Sequence, residues 1–397
     1  MTAATGYLRP DGQKGIRNVV VVAYLVECAH HVARNISTPF GQRAHLIGFA
    51  GCFPNAYALK MMKRLCTHSN VGAVLLVSLG CEGFDRHSLA RTIRESGRHV
   101  ETLVIQETGG TTTTIEQGRA WVGRALRQID DVPRVPIGIE DLIIGTNCGG
   151  SDATSILTAN PAIGRAFDRL AARGARLMFH ETPELIGCEQ FLARRATSPQ
   201  LAEALVATVR KGAEYHRVLG HGSFSPGNAD GGLTTMEEKS LGAYSKSGSS
   251  PIVGMLKPGD IPTRPGLYLM DEVPDGPVRW GFPGLSDVSG INEMIACGCH
   301  MNLFATGRGS VVGSAISPVI KVCANPETYR RMSADMDINA GRILESEATL
   351  DDVADEIVEA VIATASGQPT VSEKLGHQEF VLAYKSFEPL GPSCFPT

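Results

Sequence analysis

"NVVVVAYLVECAHHVARNIS", from Asn18 to Ser37, decides how the chain is read. Its first part, Asn18 to Cys28, is a β-branched apolar run without polar alternation, the pattern of a strand covered on both faces. The part beginning "AHHVARNIS" continues as a helix. "GAVLLVSLGC" (Gly72 to Cys81) repeats the same order and is followed by "EGFDRHSLARTIRESG". "ETLVIQETGGTTTTIEQGRAWVGRALRQI" gives a strand, a Gly-Thr turn and a long helix from about Thr114. "EDLIIGTNC" ends a further strand at Cys148, with a helix expected near Pro161, and "GARLMFHETPE" adds another strand. Buried strands alternating with helices mean a parallel sheet with helices on both faces.

Farther along, the texture changes. Residues 220–265 are rich in Gly, Ser and Pro and read as a long irregular active-site loop. Strand-like runs return in "GLYLMD", "HMNLFATG" and "SPVIKVC", and "LDDVADEIVEAVIATASG" (Leu350 to Gly367) is a helix. The expected architecture is α/β, with mostly parallel sheets flanked by helices and two Rossmann-like halves joined by that loop. The boundary is placed near 220: an α/β domain over 1–219 with three strand-end cysteines, and a second α/β domain over 220–397.

Composition narrows the function. With 397 residues, 43% hydrophobic and 20% charged, the chain has an ordinary globular make-up. A formal net charge of −4 provides no field to attract nucleic acid or an anionic membrane. The polar start "MTAATGYLRPDGQKG" lacks the apolar core of a signal peptide, and no run reaches a membrane span. The expected location is cytoplasmic. Ten cysteines without a secretion signal argue against a disulfide framework.

Chemistry is sought at the carboxyl ends of the strands, where parallel sheets bind ligands. Cys28, Cys81 and Cys148 stand there on three strands, and three thiols from one rim suit a soft metal or an iron–sulfur cluster. The competing reading is that each is a buried core thiol. "CGGSD" brings Gly149 and Gly150, whose backbone can approach a ligand, next to the Ser151 hydroxyl and the Asp152 carboxylate. Gly110 and Thr111 in "ETGGTTTT" open a helix, as an anion site or as a simple cap. Glu181 and Glu184 in "HETPE" read as base, as ligands or as an acidic pair opening a helix. Glu238 and Lys239 in "TTMEEKS" are either functional or a solvated face. Thr306 and Arg308 in "FATGRGS" follow an apolar strand, and an arginine there can fork a carboxylate or sulfonate. "CGCH" (Cys297 to His300) reads as small buried residues rather than a metal site, and His30–His31 as helix surface plus core. G-x-G-x-x-G after the first strand, the G-x-S-x-G elbow and the Walker A loop are all missing.

Together, "GYLRPDGQKGIRN", "GCE", "CGGSDATSILTANPAIG", "ETPELIGCEQFLARRA", "GGLTTMEEKSLGAYSKSG" and "TGRGS" resemble the altronate/galactarate dehydratase family over nearly the whole chain. That family includes the large subunit of sulfolactate sulfo-lyase. The resemblance implies an iron-dependent lyase that removes water or sulfite from a 2-hydroxy acid and yields a 2-keto acid. It supports Cys28, Cys81 and Cys148 as metal ligands, together with Ser151, Asp152, Asn160, Glu181, Glu184, Glu238, Lys239 and Arg308. The cofactor expected is iron, as a [4Fe–4S] cluster or, alternatively, as mononuclear Fe2+ or Mn2+. The chain opens at "GYLRPDG", without the small domain some relatives carry fused, so a separate small subunit, or a variant that works alone, is expected, as is a homo- or hetero-oligomer. A non-catalytic subunit that binds an acid sugar is the rival reading.

Overall fold

The computed structural model describes residues 4–220, 225–276, 286–382 and 385. Fourteen strands form three sheets among these residues. The strands are β1 (Ala4–Leu8), β2 (Lys14–Gly15), β3 (Val19–Tyr24), β4 (Ala44–Gly48), β5 (Val71–Ser78), β6 (His99–Val104) and β7 (Arg134–Ile137). Then come β8 (Ile143–Cys148), β9 (Arg176–Phe179), β10 (Ile252–Leu256), β11 (Gly266–Met270), β12 (Met301–Thr306), β13 (Val319–Cys323) and β14 (Ile338–Asn339).

The first main sheet runs β4-β3-β5-β6 and the second β10-β11-β9-β8-β12-β13-β14, both parallel throughout. A small antiparallel sheet, β2-β1-β7, accompanies them. The α/β expectation therefore holds. The valine run shows why: Val19, Val21 and Ala23 enter one core, and Val20 and Val22 enter the core on the opposite face. Alternate side chains point to opposite faces, so a strand buried on both sides must be apolar at every position.

The sheets do not divide near residue 220. The second sheet takes β8 and β9 from before that position and β10 to β14 from after it. The change from the first main sheet to the second falls between β6 and β8, with β7 joining the small sheet. Nor is 220–265 one irregular loop, since it holds the helices Pro226–Asp230 and Met236–Ser245 and the strand β10. Its Gly and Ser content marks turns and close packing. Gly164 gives one case: a Cβ there would lie 2.1 Å from the Ser245 carbonyl oxygen, so only glycine lets helix Ala159–Ala171 approach the end of helix Met236–Ser245.

Each main sheet is doubly wound. In the first, the chain leaves β3 for β4 on one side and returns to β5 on the other. In the second, β8 is followed outward by β9, with β11 and β10 beyond, and the chain then crosses back to β12 on the other flank. Such switch points leave a crevice at the carboxyl ends of the strands. Cys28 and Cys81 follow the switch-point strands of the first sheet, and Cys148 closes β8 at that of the second.

Candidate active site

Cys148 is 3% exposed and stands at the centre of a buried charged group. Just beyond the neighbouring β9, the chain turns sharply at Glu181, which holds φ +74. This left-handed backbone is rare for a residue with a Cβ and costs on the order of 1–3 kcal/mol. It folds the Glu181 carboxylate back over the end of β8. One oxygen accepts from the Cys148 N–H at 2.9 Å, and the other lies 3.6 Å from Cys148 Sγ. Glu184, in the turn Thr182–Leu185, places an oxygen 4.0 Å from the same sulfur. Cys148, Glu181 and Glu184 thus bring three candidate ligand atoms within 4.8 Å of one another, a group that could hold a metal ion.

Two lysines close the group. Lys239 Nζ lies 2.8 Å from Glu184, 3.2 Å from Ser151 Oγ and 3.5 Å from Cys148 Sγ. Lys246 Nζ lies 3.3 Å from Cys148 Sγ and forms an ion pair with Glu181. Lys239 and Lys246 are seven residues apart on helix Met236–Ser245 and its cap, and two turns of helix bring both to one face. Thr235 caps the start of this helix, its hydroxyl accepting from the Glu238 N–H at 3.2 Å. The two lysines shift in opposite directions. Burial lowers the Lys239 pKa, but the Cys148 and Glu184 charges outweigh it and raise it above its usual value. For Lys246 burial prevails over the opposing Cys148 charge, and the pKa falls.

The loop after β8 is tied to the loop after β12. The Gly149 N–H donates to the Ala305 carbonyl at 3.0 Å, and the Gly150 carbonyl accepts from Gly307 and Arg308 at 3.1 and 2.8 Å. Gly149 sits against Asp287, the first residue of helix Asp287–Ala296; a Cβ there would meet its carboxylate at 2.0 Å. The Asp287 carboxyl is pushed up to about 6, first by desolvation and next by the Glu184 charge. On the same side, His180 Nδ1 lies 3.5 Å from the buried Glu272. Burial raises the Glu272 pKa, but His180, Lys385 and Lys246 outweigh it and hold it below the usual range. Asn147 is fully buried, and neither atom of its amide has a hydrogen-bond partner among the described residues.

Of the residues read from sequence, the structure gathers Cys148, Gly149, Gly150, Ser151, Glu181, Glu184 and Lys239 around one centre. The others have different occupations. Asp152 accepts from Thr154 N–H and Oγ1 at 2.9 and 2.6 Å and from Asn325 Nδ2 at 2.9 Å, so its oxygens brace the loop. Glu238 accepts from the Thr234 N–H at 2.7 Å and its hydroxyl at 2.9 Å, serving the helix start. Asn160 packs where Gly242 approaches, and Thr306 Oγ1 accepts from the Gly309 N–H at 3.1 Å. Arg308 is half-exposed and donates to the Gly227 carbonyl. Gly110 and Thr111 open helix Thr111–Asp130 beside the first sheet. Cys28 and Cys81 also belong to the first sheet, so the three-cysteine set divides between the two sheets. Cys297 and Cys299 are buried in a core cluster, as expected of small packing residues.

Lys246, His180, Glu272, Asp287 and Asn147 were not singled out from sequence. For Lys246 a signal existed: a second lysine at helical heptad spacing from Lys239 within "MEEKSLGAYSKSG". The others had none, because their neighbours come from distant elements.

Buried amines, carboxylates and a thiol gathered at the switch point of a parallel sheet form the kind of group at which α/β proteins bind ligands and shift pKa values. The chain belongs to the D-galactarate/altronate dehydratase family: the family's C-terminal domain matches residues 139–387 and its second domain residues 6–130. The subunit beta of (2R)-sulfolactate sulfo-lyase from Chromohalobacter salexigens is 33% identical, over 95% of this chain and 96% of that one. Altronate dehydratase from Escherichia coli is 30% identical, over 95% of this chain and 76% of the relative. Galactarate dehydratase (L-threo-forming) from the same organism is 32% identical, over 77% and 58%. These relatives are lyases, and the chain is an enzyme of that class. No helix among the described residues is long and apolar enough to cross a membrane.

Proposed function

We propose that this enzyme eliminates water or sulfite from a small 2-hydroxy acid, of the sugar-acid or sulfolactate type, to give a 2-keto acid. The observation that carries the reading is the pair of buried lysines, shifted in opposite directions around Cys148, Glu181 and Glu184. Environments that push two titratable groups apart assign base and acid within one site. The Lys246–Glu181 pair accepts the C2 proton, while Lys239 stays an ammonium. As the C2–H bond breaks, its electrons form the C2–C3 double bond and the 3-substituent departs with its bonding pair. Hydroxide takes a proton to leave as water, and Lys239 is placed to give it; sulfite needs none. The enol then ketonises. Lys239 also offsets the negative charge that develops on the substrate carboxylate. Asn147 supplies a buried donor and acceptor to orient the substrate, and Arg308, at the outer lip, meets the distal acidic group.

Iron requires a separate argument. Sulfur and two carboxylates would suit a mononuclear Fe2+ or Mn2+ ion by donor type. Both lysine side-chain nitrogens, however, already lie on those same atoms. A dication bound there would have to displace both lysines from Cys148, Glu181 and Glu184. A separate small subunit belongs to the same proposal, supported by the relative named as a subunit beta, which this chain matches over 96% of its length.

The test is a keto-acid assay with altronate, galactarate and (2R)-sulfolactate, with sulfite measured in parallel. Keto acid from one of them, lost in Lys246→Met, is the expected result. Turnover of none, with tight binding of one, would leave a binding protein instead.

A further inference from the structure

We propose that Cys28, Cys52 and Cys81 are three ligands of one iron–sulfur cluster, held at the switch point of the first sheet. The inference stands on the geometry of that sheet and does not require the lyase reading.

Strand register supplies the first argument. Tyr24 of β3 pairs with Gly48 of β4 and with Val77 of β5, so these three residues stand level across the sheet. Each thiol lies four positions beyond its member of that row: Cys28, Cys52 and Cys81. Three neighbouring strands, about 4.8 Å apart, thus send a cysteine from the same height over the same rim.

The loops then converge. The Glu27 N–H donates to the Ala50 carbonyl at 3.1 Å, tying the β3 loop to the β4 loop. The Gly83 N–H donates to the Cys52 carbonyl at 2.8 Å, tying the β5 loop to the β4 loop across the intervening β3. Gly83 permits that contact, since a Cβ there would stand 3.2 Å from the same carbonyl oxygen.

Exposure separates these thiols from the rest. Among the described residues, Cys28, Cys52 and Cys81 are exposed and unbridged, while Cys66, Cys148, Cys188, Cys297, Cys299 and Cys323 are buried. Burial pushes the Cys66 and Cys297 thiols up to about 12, which makes them inert packing groups. The only exposed cysteines of the described chain therefore stand together on one rim.

Spacing selects the ligand. A single tetrahedral ion, at about 2.3 Å from each sulfur, needs its thiolates roughly 3.8 Å apart. The three sulfurs are not all within 4.8 Å of one another. A cubane spreads its ligands more widely and suits such a rim, and three cysteines leave one of its irons without a protein sulfur. That iron, when the cluster is bound, supplies a Lewis acid for an oxygen ligand.

The full chain, purified and reconstituted without oxygen, tests this. We expect about four irons and four acid-labile sulfides per chain, with a visible charge-transfer band. Cys52→Ser should lose at least two thirds of the iron and the band, with its circular dichroism unchanged. Cys297→Ser, at a buried thiol off the rim, should keep both. Iron without sulfide, zinc in place of iron, or a cluster that survives Cys28→Ser, Cys52→Ser and Cys81→Ser alike would overturn the assignment. Neither the keto-acid assay nor the lysine variants enter this readout, so failure here leaves the proposed lyase chemistry to be judged separately.

Discussion

The two main sheets are built alike and end differently. Each is parallel and doubly wound, and each has cysteine at its switch point. Over the first sheet the thiols of Cys28, Cys52 and Cys81 are exposed. Over the second a single thiol is buried beneath two lysines and two glutamates. One architecture thus supplies two environments. A helix laid across the second rim places a strand-end cysteine within a buried group of lysines and glutamates, whereas the first rim keeps its thiols open.

The comparison breaks most sharply at Lys246. Lys246→Met should lower kcat by about 10³-fold, the usual scale for removing a proton-transfer group. It should also destabilise the fold by about 3–5 kcal/mol, because the buried Glu181 loses its partner. Adding Glu181→Gln should restore the thermal midpoint without restoring turnover, which calorimetry and the keto-acid assay together would show. Full activity in Lys246→Met would remove the second rim's claim to be the acid–base centre.

Gly164→Val comes next. Its side chain would run into the Ser245 carbonyl and push away the turn that holds Lys246. We expect a cost of about 1–3 kcal/mol in denaturant unfolding, with lower kcat and little change in KM. A control on helix Thr111–Asp130, beside the first sheet, is Gly118→Val: it meets the Ile36 side chain, which can shift, so it should cost less stability and spare kcat.

Asp287 tests the electrostatics at the lip. Its folded pKa, about 6, lies above the ordinary aspartate value of 3.8. The folded state therefore holds this proton more tightly than the unfolded chain does. That contribution is full below about 3.8 and is lost as pH rises through about 6. Asp287→Asn should flatten the stability profile over this window, as thermal melts at successive pH values would reveal. Solvent at the site's edge keeps the effect modest.

Arg308→Ala should have the smallest effect. At a half-exposed position its loss should raise KM several-fold for a substrate with a distal carboxylate or sulfonate, and leave kcat nearly unchanged. Steady-state kinetics on mono- and di-acids would separate the two.

Much of the fold was legible because burial on both faces leaves a plain mark. Val71–Ser78 is buried at all eight positions, and the sequence reads as a strand without help. Helix Met236–Ser245 was hidden for the opposite reason. It turns Lys239, Ser240 and Gly242 inward and leaves Leu241 43% exposed. A helix that buries lysine and shows leucine reverses the usual pattern, so it passes for loop or solvated face. Cys52 was missed although "AHLIGFAGC" follows the same strand-then-cysteine order as "NVVVVAYLVEC".

By itself, the sequence determined the α/β class, the end of a strand at Cys148, cysteines shortly beyond two others at Cys28 and Cys81, and the grouping of "CGGSD", "HETPE" and Lys239 as candidates. Local pattern suffices there, because hydrophobic period and turn residues act over a few positions. Only the tertiary structure decided which of the cysteine-bearing strands are neighbours, since strand order is set by chain crossovers and leaves no local trace. It also decided that Lys246 faces Glu181 and Cys148, a pairing made by the approach of elements from residues 148, 181 and 246.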